Sequence, residues 1–363
     1  MALYMGGQEI IFMPEAGYRE DNPRIMNSNN RQSGTVLFCG PVNEPLNSGR
    51  YMIAGIEQLG YKVIGYDYRI NSNYEKDISK IVASERPDFL FTLKGEKFSP
   101  DFVRSIRKSG CITILWFTML SLEDWMIPLA KAFDFVVMNA EHNMSSLAEK
   151  GVKNVTWIHQ GFSPEFFGVM NVSDSSAPSK YYADVAMIGS MGKPIYKKRS
   201  ELVARLRKEE IDIKWWGPRL ARQMRNMRYF CGGVHRSWAG SEVYMKDFAD
   251  VIRHTRIFVG EDADMPSKIK YLSNRSFAVM GCGGFYLCRR TPGVESVFEV
   301  GKEMDVFDTD DEMVEKISYY LNSEEERKSI ALAGQQKVLT DYTYKKQMEK
   351  IFDWVLGNLR GAE

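Results

Sequence analysis

From Thr35 onward, short runs of continuously apolar residues alternate with amphipathic segments of about helical period, and the alternation is regular enough to assign elements. The pattern predicts strands over 35–39, 62–66, 88–93, 112–117 and 133–138. Between and after them it predicts helices over 50–59, 75–84, 100–109, within 123–132 and over 141–150. Strands that are apolar at every position, rather than at every second one, are buried on both faces. Alternation with helices then implies a parallel sheet covered on both sides, a doubly wound α/β domain.

After 155–158 the chain passes through Gly161 to Phe167 into a polar stretch, 171–180, rich in Ser, Ala and Pro. That shift in composition reads as a linker. A second α/β series begins at Ala183, with strand 183–189, helix 199–209, strand 211–216, a less regular middle and helix 245–254. Three helices close the chain, over 312–322, 324–339 and 344–359; Asp308 to Asp311 and Ser323 offer their N-caps. The expected organisation is an irregular extension (1–33), a Rossmann-like domain (34–170), a linker (171–182), a second Rossmann-like domain (183–340) and a terminal helix (341–363).

The segment 257–293 concentrates the chemistry. It runs from the apolar Ile257-Phe258-Val259-Gly260 through Glu261, Asp262, Asp264 and Lys268 to Ser273-Asn274-Arg275-Ser276-Phe277, then to Gly281-Cys282-Gly283-Gly284 and Thr291-Pro292-Gly293. Read as strand, loop, short helix, glycine turn and strand, it brings a helix N-terminus to the carboxyl edge of a parallel sheet, where phosphates bind.

Composition narrows the classes. At 363 residues the chain is long enough for two cores. Its net charge of +1, from 48 basic and 47 acidic residues, leaves any affinity for nucleic acid or an anionic membrane to local patches. Five cysteines without a CxxC pair suit reduced thiols. No apolar run reaches spanning length and no export signal opens the chain, so a cytoplasmic protein is expected. The four histidines show no ligand spacing, so no metal site is expected.

Several stretches carry a family resemblance. Ser273 to Phe277, Gly281 to Phe285, Pro292 to Phe298, Gly301-Lys302-Glu303, the helix 311–321, Glu324 to Arg327, Ala333-Gly334 and Tyr342-Thr343-Tyr344 occur in order over roughly the last hundred residues. Together they resemble the C-terminal half of the CgeB-like, group 1 glycosyltransferases, whose architecture is GT-B: two doubly wound Rossmann-like domains facing a central crevice. Upstream, Leu59 to Val63, Tyr66 to Arg69 and Asp184 to Gly189 with Arg199 following are similar too. The resemblance implies a sugar transferred from a nucleotide diphosphate donor, UDP-linked by expectation and held by the C-terminal domain. The acceptor hydroxyl, on a glycan, a lipid-linked sugar or a protein, would be held by the N-terminal one. It further implies metal-independent catalysis, in which cations and helix N-termini take the leaving charge. For the diphosphate the candidates are Arg275, Lys268, Arg199 and Lys193, with backbone N–H groups at Gly283 and Gly284. Two departures stand out. Where the family carries a ribose-binding Glu this chain has Ala278, which leaves Glu295 or Asp264 for the ribose or sugar, and an expected Asp after Trp116-Phe117 is Thr118.

The remaining candidates are read from the residues themselves. His235, His159 and Asp262 are the groups offered as general base. Gly40, Asn43, Ser48 and Gly49 form a loop after the first strand that could face donor or acceptor. Arg219, Arg222, Arg225 and Arg228 recur every third residue, which on a helix gives a basic stripe for an anionic acceptor. That stripe motivates one alternative, a DNA glycosyltransferase acting on a hydroxymethylated base. A non-catalytic nucleotide-sugar or glycan-binding protein is another, and a nicotinamide-dependent oxidoreductase ranks last because the dinucleotide fingerprint is missing.

Overall fold

The central apolar runs become strands because each is covered on both faces by the helices that separate them. A computed structural model of the chain describes residues 3–5, 8–10, 34–43, 48–119, 121–168, 180–261 and 271–360. Two short antiparallel strands, β1 (Leu3–Met5) and β2 (Gln8–Ile10), come first. The first series then reads β3 (Thr35–Cys39), α1 (Ser48–Glu57), β4 (Lys62–Tyr66), α2 (Tyr74–Glu85), β5 (Phe89–Leu93), α3 (Pro100–Arg107), β6 (Ile112–Phe117), α4 (Met126–Ala132), β7 (Phe135–Met138), α5 (Glu141–Glu149), β8 (Val155–Trp157) and α6 (Pro164–Phe167). Its sheet is all parallel in the order β4-β3-β5-β6-β7-β8. The strand order therefore reverses between β3 and β5, and the crevice above such a reversal is where open α/β sheets bind ligands.

The second series reads β9 (Ala183–Ile188), α7 (Lys197–Lys208), β10 (Ile213–Trp216), α8 (Met227–Cys231), β11 (Trp238–Gly240), α9 (Met245–Arg253), β12 (Thr255–Gly260), α10 (Asn274–Gly281), β13 (Tyr286–Arg289), β14 (Asp305–Phe307), α11 (Asp310–Asn322), α12 (Glu324–Asp341) and α13 (Tyr344–Arg360). This sheet is parallel too, in the order β11-β10-β9-β12-β13-β14, and reverses between β9 and β12. Thr309, within the predicted capping stretch, caps α11 by accepting the Glu312 N–H at 3.1 Å.

α13 does not stay with the domain that precedes it. Phe352 stacks on Tyr61 with ring centroids 4.6 Å apart and meets Phe89 edge-on at 5.3 Å, while Trp354 meets Phe135 at 5.2 Å. At the crossing point, Phe162 bridges to the backbone on both sides of Thr343: its N–H donates to the Tyr342 carbonyl and its carbonyl accepts the Tyr344 N–H, each at 2.8 Å. The Phe162 ring lies against Gly281 at the end of α10, where a Cβ would sit 2.5 Å from it. One hydrophobic cluster consequently runs from Phe38 and Trp116 of the first sheet to Phe258 of the second sheet and Phe277 of α10.

Candidate functional site

At the carboxyl end of β9 the backbone turns at Gly189, with φ of +142°. Its carbonyl accepts the indole N–H of Trp215 at 2.7 Å. Two guanidinium groups press on its open side: a Cβ there would lie 2.9 Å from Arg275 Nη2 and 3.1 Å from Arg199 Nη1. Arg199 comes from the first turn of α7 and is buried; Arg275 comes from the first turn of α10 and is partly buried. Both reach the carbonyl of Glu261, just past the end of β12, through Arg199 Nε at 2.7 Å and Arg275 Nη1 at 3.4 Å. The pair thus sits where β9 and β12 part, at the reversal of strand order.

A third arginine braces this floor. The buried Glu261 carboxylate accepts Arg289 Nε at 2.6 Å, and Arg289 donates onward to Asp310 at 2.5 Å. Burial pulls the Arg289 pKa down, but the bonds to Glu261 and Asp310 outweigh it and hold the group above its ordinary value. At the start of α10, the Ser273 hydroxyl and the Asn274 side-chain amide oxygen Oδ1 are buried without a hydrogen-bond partner among the described residues. Buried polar atoms are normally satisfied. A helix N-terminus, two adjacent arginines and an unused hydroxyl make a receptor for an oxyanion that presents several oxygens.

Arg275 and Arg199, two of the four diphosphate candidates, are brought together here. Lys193 lies exposed beyond β9 on the same edge. Lys268, Asp262 and Asp264 fall outside the described residues. Arg289 was not among the sequence candidates, although a basic residue ending an apolar strand was the available signal.

Gly283 and Gly284 are a correction. Their N–H groups donate to the carbonyls of Met280 at 2.8 Å and Val279 at 3.0 Å, closing the C-terminus of α10. The turn precedes β13 and so lies at the amino edge of the sheet, opposite the arginines. Gly283 is needed for its φ of +82°, and Gly284 because Ile252 and Val279 leave no room for a side chain.

His235 is corrected too. It is exposed in a short turn before β11, at the amino end of a parallel strand, with its ring against Phe230. The arginines 219, 222, 225 and 228 do not follow one helix. Residues 217–223 are irregular, a 3-10 turn spans Met224–Asn226 and α8 begins only at Met227. Arg219 lies over the Trp238 ring at 4.1 Å, and Arg228 pairs with Glu201 at 3.2 Å.

His159 follows β8 on the carboxyl edge of the first sheet. Its ring is boxed by Trp157 at 4.8 Å, Phe277 at 5.8 Å and Tyr342 at 6.1 Å. Burial, with a smaller push from Lys350, lowers its pKa to about 4, so the imidazole is neutral and weakly basic at physiological pH. Phe277 belongs to α10, so the histidine is part of the contact between the two domains.

In the first domain, Gly40 and Gly49 serve close packing: a Cβ on Gly40 would be 2.9 Å from the Leu93 Cβ, and one on Gly49 would be 2.5 Å from the Pro41 carbonyl oxygen. Ser48 opens α1 and Asn43 is exposed. Beside this loop, at the reversal of strand order, Lys94 adopts φ of +70°. Such a conformation in a residue other than glycine costs of order 1 kcal/mol or more. The buried Tyr68 hydroxyl holds it by accepting the Gly95 N–H at 2.9 Å, with its own proton directed to the Glu96 carboxylate at 2.5 Å and the Leu93 carbonyl 3.0 Å away. Nothing in the sequence patterns pointed to Lys94.

Glu295 is half-exposed on a 3-10 turn after β13 and ion-paired with Arg290. Ala278 is buried within α10. Two recesses of about 220 and 230 Å³ lie along the α1–α13 seam, lined by residues such as Tyr51, Gln58 and Phe352; neither touches the arginine floor.

Residues 198–353, which contain Arg199, Glu261, Arg275 and Arg289, match the family described as glycosyl transferase-like. No curated protein matches the chain by sequence. Among solved structures, HepE of Anabaena in complex with UDP and glucose superposes with a TM-score of 0.61 at 12% identity, covering 89% of this chain and 100% of that one. Sucrose-phosphate synthase of Thermosynechococcus elongatus gives 0.67 at 8% identity, covering 91% and 100%. A glycosyltransferase of Rickettsia africae gives 0.65 at 11% identity, covering 88% and 97%. The fold is GT-B, as the resemblance implied.

Proposed function

We propose that the chain is a glycosyltransferase that binds a nucleotide diphosphate sugar over the Arg199–Arg275 pair and passes the sugar to a hydroxyl acceptor held by the first domain. The observation that carries this is the convergence on Gly189, at the strand-order reversal, of two arginines that both belong to the segment matching a glycosyl transferase-like family. When the bond from the sugar to the diphosphate breaks, negative charge grows on the departing β-phosphate oxygen. Fixed cations and the α10 N-terminus stabilise that charge without reorganising, which lowers the barrier more than it tightens the ground state. Neutralisation by arginine is the reason for reading the reaction as metal-independent. A UDP-linked donor is the first to test, because HepE is described with UDP and with UDP-glucose.

Within this reading the chain is of the CgeB-like type, with Ala278 in place of the family's ribose-binding glutamate. The half-exposed Glu295 is the acid offered in its stead. His159, neutral and boxed by rings, positions the two domains rather than carrying a proton. The acceptor is a glycan, lipid-linked sugar or protein; the DNA reading loses its motivation once the arginines leave a common helix face.

The experiment is a panel of nucleotide sugars assayed for nucleoside diphosphate release and for donor-dependent thermal stabilisation. Stabilisation by UDP with release from at least one donor supports transfer. Stabilisation without turnover, with every acceptor class supplied, would mark a binding protein, and silence in both assays would sink the proposal.

A further inference from the structure

Two stretches of the second domain contain no acidic residue: 185–200, between Asp184 and Glu201, and 213–241, between Asp212 and Glu242. In a chain whose charge is balanced to +1 this is a local concentration of cations. Both stretches leave the carboxyl edge of the sheet, after β9 and β10, and they meet: Gly192 lies so close to Leu220 and Asn226 that a Cβ would be 2.5 and 2.9 Å from them. Arg219 and Arg228 are engaged by Trp238 and Glu201. Arg222 and Arg225 are exposed and make no hydrogen bond or ion pair among the described residues.

The same surface is apolar. Met224 is 88% exposed, Met227 50% and Ile195 51%. A single exposed apolar side chain needs no explanation. Methionines interleaved with free arginines, at 222, 224, 225 and 227, are a different matter, since each type weakens the other's ordinary solvation. We infer that this surface docks on an anionic lipid bilayer. Arginines pair with lipid phosphates, while the flexible thioethers enter the boundary between headgroups and acyl chains. Nucleic acid or an acidic glycan would reward the arginines but gain nothing from a fully exposed methionine, and the neighbouring Trp238 is covered by Arg219 rather than open for base stacking. No described helix is long and apolar enough to cross a membrane, so this contact is a peripheral one. It lies on the same sheet edge as the arginine floor and turns that edge toward the lipid.

The test is sedimentation of the full chain with vesicles of phosphatidylcholine alone and of phosphatidylcholine with phosphatidylglycerol. Binding is expected to the anionic vesicles only and to weaken with salt. The double substitution Arg222→Gln/Arg225→Gln is expected to reduce it at least roughly tenfold. Met224→Ser/Met227→Ser is also expected to reduce it roughly tenfold, at unchanged charge. All four positions are exposed, so both variants should keep the wild-type melting temperature and any stabilisation by UDP. No sedimentation with anionic vesicles at low salt overturns the inference. So does binding that the methionine pair leaves unaltered, or retention of duplex DNA or heparin by a protein that ignores vesicles. UDP stabilisation of the wild type is scored separately, so failure of the sugar-transfer reading leaves the vesicle result intact.

Discussion

The open side of Gly189 is occupied by Arg275: a methyl group added there would stand 2.9 Å from the guanidinium Nη2. Gly189→Ala therefore acts on two levels. It strains a backbone at φ of +142°, at a cost of about 1–3 kcal/mol, and it pushes Arg275 and Arg199 off the Glu261 carbonyl. The expected outcome is a modest fall in melting temperature with loss of UDP-dependent stabilisation, read by paired thermal scans.

Arg275→Ala is expected to lower turnover roughly 100- to 1,000-fold while costing little stability, as for removal of one charge-stabilising donor. Arg199→Ala should match that loss and also destabilise by about 1–3 kcal/mol, because the buried Glu261 carbonyl loses its 2.7 Å partner. Lysine at either position should rescue poorly, since one ammonium cannot span the oxygens a guanidinium fork does. Steady-state kinetics beside chemical denaturation separates the two arginines.

His159 predicts a pH effect on stability. Its pKa falls from the ordinary 6.5 of an exposed histidine to about 4 in the folded protein. Between those values the unfolded chain binds the extra proton and the folded one does not. The contribution is complete above pH 6.5 and is lost as pH drops toward 4, amounting to about 3 kcal/mol. Replacement by Phe, which suits the box of Trp157, Phe277 and Tyr342, should flatten that slope in denaturation curves taken across the window.

Lys94 offers a separation of fold from function. Lys94→Gly relieves the left-handed strain and should hold or raise stability. If the side chain serves an acceptor, transfer should fall while UDP binding stays. Tyr68→Phe removes the hydroxyl that accepts the Gly95 N–H at 2.9 Å and donates to Glu96 at 2.5 Å, and should cost about 1–3 kcal/mol.

Phe352→Ala should cost about 3–5 kcal/mol, because the ring is packed by Tyr61 and Phe89 of the other domain. Near-equal loss at both domains' unfolding transitions, by calorimetry, would instead show that the domains melt as one unit.

Much of the fold was legible because its central strands are buried on both faces: β3 and β6 fall where the apolar runs place them. Strand order was not, since neighbours in sequence do not reveal where a sheet reverses, and that reversal is what joins Arg199 to Arg275. The predicted basic stripe failed for a readable reason. Buried positions in that stretch are Leu220, Asn226 and Tyr229, a spacing with no helical face, and Gly217-Pro218 interrupts it. Gly283-Gly284 was ambiguous by nature, because a glycine pair after a helix caps its C-terminus as readily as it cradles an anion. The left-handed Lys94 leaves no mark in composition or period.

The return of α13 to the first sheet also sets an order of assembly. A ribosome releases β3 to β8 early, yet the faces of Phe89 and Phe135 stay uncovered until Phe352 and Trp354 emerge at the far end of the chain. The domain made first is thus completed last, and nascent chains halted before residue 344 should expose that surface to chaperones for as long as synthesis is stalled.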